Sequence, residues 1–193
     1  MAETYAWPPT PGAPPMPTTL DGLAAVAAEQ RGLVTRVQCL SAGLARKAVE
    51  HRLSCGRWVL VHRGIYLTQP GRNDWWTTAY AAHLACGPQA AWSLHTAAYV
   101  WGLVRDPPDV VDLFVTTDFA VSSPSGARVR RSARLDSRVD QLRWPWRTTV
   151  EDTILDLGAT VPSDELFALL GRGFQRRLTS EQVVLSRLSE RAR

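Results

Sequence analysis

The sequence predicts an α+β protein: an N-terminal winged helix-turn-helix, then a small mixed α/β domain, then C-terminal helices. Three observations carry this. Residues 20–67 pass from three short helical patterns into a β-hairpin pattern. After two further helical stretches, β-type runs appear at 110–116 and 127–132. From residue 149 onward helical spacing returns and persists.

Leu20 to Gln30 has helical periodicity, with Leu23 and Ala27, joined by Leu20 and Ala24, expected to face the core. Gly32-Leu33-Val34 interrupts it, and Thr35 is a capping residue for a second short helix ending near Ala42. Gly43 makes the turn. A third helix is expected from about Ala45 to Ser54, held down by Leu44, Ala48, Val49 and Leu53 and ended by Gly56. Trp58-Val59-Leu60-Val61 and Gly64-Ile65-Tyr66-Leu67 then read as the two strands of a wing, with Trp58 and Tyr66 packing it against the third helix.

The second half follows in order. Trp75–Ala85 and Ala90–Val100 read as helices, the latter with a buried stripe of Leu94, Ala97, Ala98 and Trp101. Val110–Thr116 is a strand, 122–126 a turn and Ala127–Ser132 a second strand. Leu142–Thr149 is an extended link. Thr149 caps a helix reaching Ala159, and Asp164–Gln175 and Ser180–Ala192 are two more. The domain plan is 1–18 as a disordered proline-rich tail, 19–68 as the winged helix-turn-helix, and 74–193 as the α+β domain with its C-terminal helices.

Charge sharpens the reading. The chain has a formal net charge of only +4, so a positive field has to be local. Between residues 31 and 63 stand Arg31, Arg36, Arg46, Lys47, Arg52, Arg57 and Arg63 against one acid, Glu50. A clustered basic face of this kind is the footprint of nucleic-acid binding. On the third helix the solvent side carries Arg46, Lys47, Glu50 and His51, and residues near the start of such a helix reach furthest into a major groove. Arg46 and Lys47 are the candidates for base edges or flanking phosphates. Glu50 is placed either to accept from cytosine N4 or to pair with Arg46 one turn back, the second being favoured. Arg52 is expected at the edge of the core. Thr35 and Arg36 open the second helix, whose exposed N–H groups suit a phosphate oxygen. Arg57, His62 and Arg63 flank the wing strands and suit backbone or minor groove. The DNA-binding set is therefore Thr35, Arg36, Arg46, Lys47, Glu50, His51, Arg57, His62 and Arg63, on double-stranded DNA.

A second basic stretch, Arg128, Arg130, Arg131, Arg134, Arg138, Arg143 and Arg147, has three readings: an extension of the DNA footprint, a surface for an acidic partner protein, or one exposed face of a sheet.

Composition and motifs exclude several classes. No apolar run reaches the roughly 18 residues of a membrane span, and no secretory signal pattern is present. Cys39, Cys55 and Cys86 are odd in number and lack metal spacing, so they read as reduced thiols in a cytoplasm, Cys39 and Cys55 on apolar helix sides. There is no phosphate-binding glycine loop, no His-Glu-x-x-His and no Cys-x-x-Cys. Pro108-Asp109 lacks the nearby lysine of a nuclease pattern. No enzyme activity, cofactor or metal is expected, and His83 and His95 are read as ordinary core or surface histidines.

Four segments in this order resemble the N-terminal winged helix of AbiEi-type antitoxins: Gly32-Leu33-Val34-Thr35, Gly43-Leu44-Ala45-Arg46, Ser54-Cys55-Gly56-Arg57-Trp58 and His62-Arg63-Gly64-Ile65-Tyr66. The resemblance continues through Ser93–Ala98 with Trp101-Gly102-Leu103, through Val129-Arg130-Arg131-Ser132, and through Thr148–Leu157, and spans about 20–190. It implies a repressor of its own promoter in a type IV toxin–antitoxin system. The implied partner is a nucleotidyltransferase-type toxin encoded nearby, opposed without a tight complex. The sequence departs from the family where Ala45 replaces a capping Ser or Thr, and where Leu94 and Arg130 replace common histidines. The chain stops before the C-terminal nuclease-like domain of longer relatives would begin. Two rival readings follow: the DNA-targeting part of a protein that lost a nuclease domain, and a scaffold whose basic helix serves a protein partner.

Overall fold

A computed structural model describes residues 10–71, 74–118 and 122–192. The protein is mixed α+β, as its sequence predicts. Helix α1 (Leu20–Glu29) is capped by Thr19, whose side chain accepts from the Gly22 amide. Its buried stripe is Leu23, Val26, Ala27 and then Gln30. Leu20 and Ala24 are exposed, against expectation, because the stripe that meets the core is set by Leu23 and leaves both one step off the contact line.

Strand β1 (Leu33–Thr35), helix α2 (Arg36–Ser41), helix α3 (Arg46–Ser54) and strands β2 (Val59–His62) and β3 (Ile65–Leu67) complete the first unit. Its sheet has three strands, not two: β1 pairs antiparallel with β3, which pairs with β2. One core gathers Leu23, Ala27, Val34, Cys39, Leu44, Val49 and Tyr66, with Leu53 and Trp58 at its margin. A second cluster sets Leu33, Ile65 and Leu67 of this sheet against Ala81 of helix α4 (Trp75–Cys86).

The second sheet has five strands in the order β6-β5-β4-β8-β7. These are β4 (Ala91–Trp92), β5 (Val111–Thr116), β6 (Ala127–Ser132), β7 (Val139–Asp140) and β8 (Trp146–Thr148). Ala91-Trp92, read from the sequence as helix, is a strand between β5 and β8, and helix α5 (Leu94–Trp101) starts only after Ser93. The link 142–149 contributes β8. Strands this short are made by their neighbours and carry no periodicity of their own. At the end of α5, Gly102 takes a left-handed conformation with φ 72°. The Arg176 guanidinium occupies the space a Cβ there would need and donates to the Gly102 carbonyl at 2.6 Å.

Helices α6 (Val150–Gly158), α7 (Ser163–Gln175) and α8 (Glu181–Arg191) close the fold. Ile154, Leu157 and Leu169 pack with Leu94, Ala98 and Leu103 into a third core. Asp152, fully buried on α6, ties α8 down through Arg187 at 2.7 Å and Arg191 at 3.5 Å, and meets Arg138 at 3.4 Å. Two choices in α7 have no account within the chain. Gly171 sits mid-helix facing open space, where glycine costs about 1 kcal/mol relative to alanine. Phe167 is 68% exposed.

The proline-rich segment also differs from expectation. Residues 1–9 lie outside the described residues. Residues 10–18 run as an arm against the second sheet, where Trp146 Nε1 donates to the Pro11 carbonyl at 3.1 Å and Pro17 is buried. Proline lacks an amide donor but keeps its carbonyl and its apolar ring, and both are used here.

Candidate nucleic-acid interface

Helix α3 presents the sequence-predicted side chains on one surface. Val49 is buried and Ala48 and Leu53 pack on the core, which fixes the helix from behind. Arg46, Lys47, Glu50 and His51 are exposed. Arg46 Nε donates to Glu50 Oε1 at 2.6 Å, with 73% of the arginine side chain and 54% of the glutamate open to solvent. That hydrogen bond, ahead of the plain attraction between the charges, raises the Arg46 pKa further. Arg52 lies at the core edge: Nη1 donates to the Ala48 carbonyl at 3.0 Å and the guanidinium sits 5.4 Å from the Trp58 ring centre. Ala45 provides no side-chain cap, so the first-turn amides of α3 are left without one.

The start of α2 and the tip of the wing come together. The Arg36 amide donates to the Gly64 carbonyl at 2.7 Å, and Gly64 holds the turn with φ 76°. Arg36 and Arg63 are exposed on either side of this contact and both border a cleft of about 860 Å³ that reaches Leu84 of α4 and the arm. The open amides expected at this helix start are largely absent. Thr35 Oγ1 accepts from the Gln38 amide while Gln38 Oε1 accepts from the Thr35 amide, a reciprocal capping box. With the Arg36 amide also bonded, the α2 start offers the Arg36 side chain rather than a row of N–H groups.

Along the wing, Arg57 is exposed and His62 is half-buried, its pKa lowered by that burial. Trp58 and Tyr66 stack with ring centres 6.1 Å apart, closing the hairpin over α3 as packing residues. Two features escaped the sequence reading. Strand β1 ties the α2 start to the wing; its signal was the Val34-Thr35 pair of β-branched residues. Val59 and Leu60 are 44% and 57% exposed on the wing, leaving an apolar ribbon edge beside the basic residues.

Cys55, expected on an apolar side, is exposed at the end of α3, where the helix has already run past the core. Cys39 and Cys86 are buried, which pushes their thiols up to about 11 and about 12. The second basic stretch is mostly occupied. Arg128 and Arg130 reach the buried Asp112 at 3.5 and 3.8 Å, Arg143 pairs with Asp140 at 3.1 Å, and Arg138 pairs with Asp156 as well as Asp152. Arg147 lies between the Trp92 and Trp101 rings. Among the described residues no group of three potential metal ligands converges, and no helix is long and apolar enough to cross a membrane.

Residues 23–69, from within α1 to just past β3, match the family model described as "Transcriptional regulator, AbiEi antitoxin". The match covers about a quarter of the chain and makes this N-terminal region similar to that family of transcriptional regulators. Among solved structures, the chain is similar to the RV2827C protein from Mycobacterium tuberculosis, at 15% identity over 84% of this chain and 74% of that chain, with a TM-score of 0.38. No curated protein matches the chain.

Proposed function

We infer that the chain is a cytoplasmic DNA-binding repressor and antitoxin that recognises its own promoter. Helix α3 enters the major groove, with Arg46, Lys47, Glu50 and His51 turned toward base edges and the flanking phosphates. Arg36 and Arg63 meet the backbone from the α2 start and the wing tip, and Arg57 and His62 extend that contact along the hairpin. Thr35 acts as the cap that holds Arg36 in place. The proposed system is type IV: a nucleotidyltransferase-type toxin encoded nearby is countered through its activity or its target, without a tight complex between the two proteins. Catalysis has no place in this reading.

The observation that carries the proposal is the coincidence, inside the family-matched segment, of an exposed basic helix with an apolar back buried in the core. The test is Arg46→Ala with Lys47→Ala. Affinity for a duplex from upstream of the chain's own gene, read by gel shift, should fall by about 10- to 100-fold at unchanged circular dichroism. An unaltered gel shift takes α3 out of the groove and ends the proposal.

A further inference from the structure

DNA recognition by α3 makes no use of the cleft beside the start of α2. Its volume, about 860 Å³, falls within the roughly 300–1,000 Å³ of small-molecule sites. Pro14 and Met16 of the arm line it together with Val37 of α2, Ile65 of β3, Leu84 of α4 and Trp144, which precedes β8. The arm belongs to the fold, held by the Trp146 bond to the Pro11 carbonyl and by the buried Pro17. The cleft is therefore walled on several sides, and most of its wall is aliphatic or proline.

Two kinds of polar group border it. Deep in the wall, the amides of Gln30 and Gln38 are spent on each other. Gln30 Nε2 donates to Gln38 Oε1 at 3.0 Å, and Gln38 Nε2 donates to Gln30 Oε1 at 2.9 Å. At the rim, the side chains of Arg36 and Arg63 are exposed and have no hydrogen bond or ion pair among the described residues. They leave the backbone side by side, since the Arg36 amide bonds the Gly64 carbonyl and a Cβ on Gly64 would stand 3.6 Å from the Arg36 Cβ. A guest therefore finds apolar surface inside and positive charge at the edge. A sugar or nucleoside would lose its hydrogen bonds to water against proline, valine, isoleucine and leucine. A single acid group at one end of an apolar body matches both parts.

We propose that this cleft binds a small apolar carboxylic acid, its body between the arm and α4 and its carboxylate on Arg36 and Arg63. The same two arginines meet the DNA backbone in the function proposed above. On that reading, which this consequence rests on, the acid and a DNA phosphate compete for the same cations. Uptake of the acid then weakens the grip on the operator without touching α3.

The test is calorimetric titration of the full chain with decanoate, without DNA. Saturable uptake is expected, with a Kd on the order of 0.1 mM. Decanol, which lacks the charge, should bind about tenfold more weakly. Arg36→Met with Arg63→Met should weaken decanoate by about tenfold and leave decanol unchanged. Ala13→Trp fills the cleft from the arm, outside the DNA-contacting set, and should abolish uptake of both. Circular dichroism with a melting curve verifies that each variant is folded. No saturable uptake by the unaltered chain overturns the proposal, as it would if the cleft served a protein segment instead. Equal affinity for decanoate and decanol overturns it too, and so does uptake that both variants leave intact, since the guest then sits elsewhere. With duplex DNA present, saturating decanoate should lower the affinity of the unaltered chain by about tenfold and that of Ala13→Trp not at all. Uptake without this competition strikes the link to DNA and leaves the site. A chain that binds no DNA strikes the proposed function and leaves the uptake result standing.

Discussion

Arginines of the winged unit and arginines of the second sheet look alike in sequence and live differently in the structure. In the first, Arg36, Lys47, Arg57 and Arg63 are exposed with no ion pair among the described residues, and Arg46 shares only the solvent-facing Glu50. In the second, Arg128 and Arg130 are drawn to Asp112, Arg138 to Asp152 and Asp156, Arg143 to Asp140, and Arg147 into an aromatic sandwich. A count of basic residues does not make an interface. What matters is whether each cation already has a counter-charge within the molecule, because only an unneutralised one releases counterions from DNA.

The sharpest way to break this contrast is Asp152→Ala. It strips three arginines of a fully buried carboxylate and should lower stability by about 3 kcal/mol, near the bottom of the range for a buried pair because the arginines keep 16–32% exposure. Chemical denaturation measures it, and a loss below ~1 kcal/mol would mean the cluster is not structural.

Next comes His83, fully buried on the inner side of α4, with no hydrogen-bond partner for either ring nitrogen among the described residues. Burial, then the nearby Arg147, holds its pKa down to about 3. Its folded pKa lies below the ordinary 6.5, so the unfolded chain takes up the proton first. This group's stabilising effect is complete above 6.5 and is lost as pH falls from 6.5 toward about 3, by at most about 1.4 kcal/mol per pH unit. In His83→Phe that part of the acid sensitivity should disappear. An unchanged pH profile would place the loss elsewhere.

If the proposed interface neutralises about five phosphates, log affinity should fall against log salt with a slope of roughly −4 to −5. Removing Arg57 and Arg63 together should reduce its magnitude by about 2, whereas Arg128→Ala with Arg130→Ala should leave it unchanged. A slope that responds to the second pair and not the first would reverse the assignment of the two basic regions. The smallest effect is Glu50→Gln, which frees Arg46 and should raise affinity about twofold, the worth of an exposed pair one turn apart.

Much of this was legible in the residues alone. The helix-turn-helix emerged from apolar spacing at Leu44, Val49 and Leu53 and from the two apolar runs of the wing, because α3 buries one face and β3 is buried along its length. The Arg46–Glu50 pair was legible too, since it needs only a single helical turn. What was hidden depends on distant chain. Strand β1 exists through β3, and Ala91-Trp92 looks helical until β5 and β8 hold it on either side. Whether an arginine is occupied was equally hidden: nothing near Arg138 in sequence announces Asp152 and Asp156. The Thr35 cap was readable, yet its consequence was not, because the Arg36 amide is claimed by Gly64 across the sheet.

The cluster of Leu33, Ile65, Leu67 and Ala81 sets a lower limit on how the chain can be cut. A fragment ending near residue 68, the natural choice for isolating the winged unit, would expose three large aliphatic side chains to water and should clump on expression. Extending it through Cys86 restores the Ala81 contact but bares Ala79, Ala82 and Cys86, which pack with Trp92 and β5, so the whole chain is the one to use for crystallisation with duplex oligonucleotides.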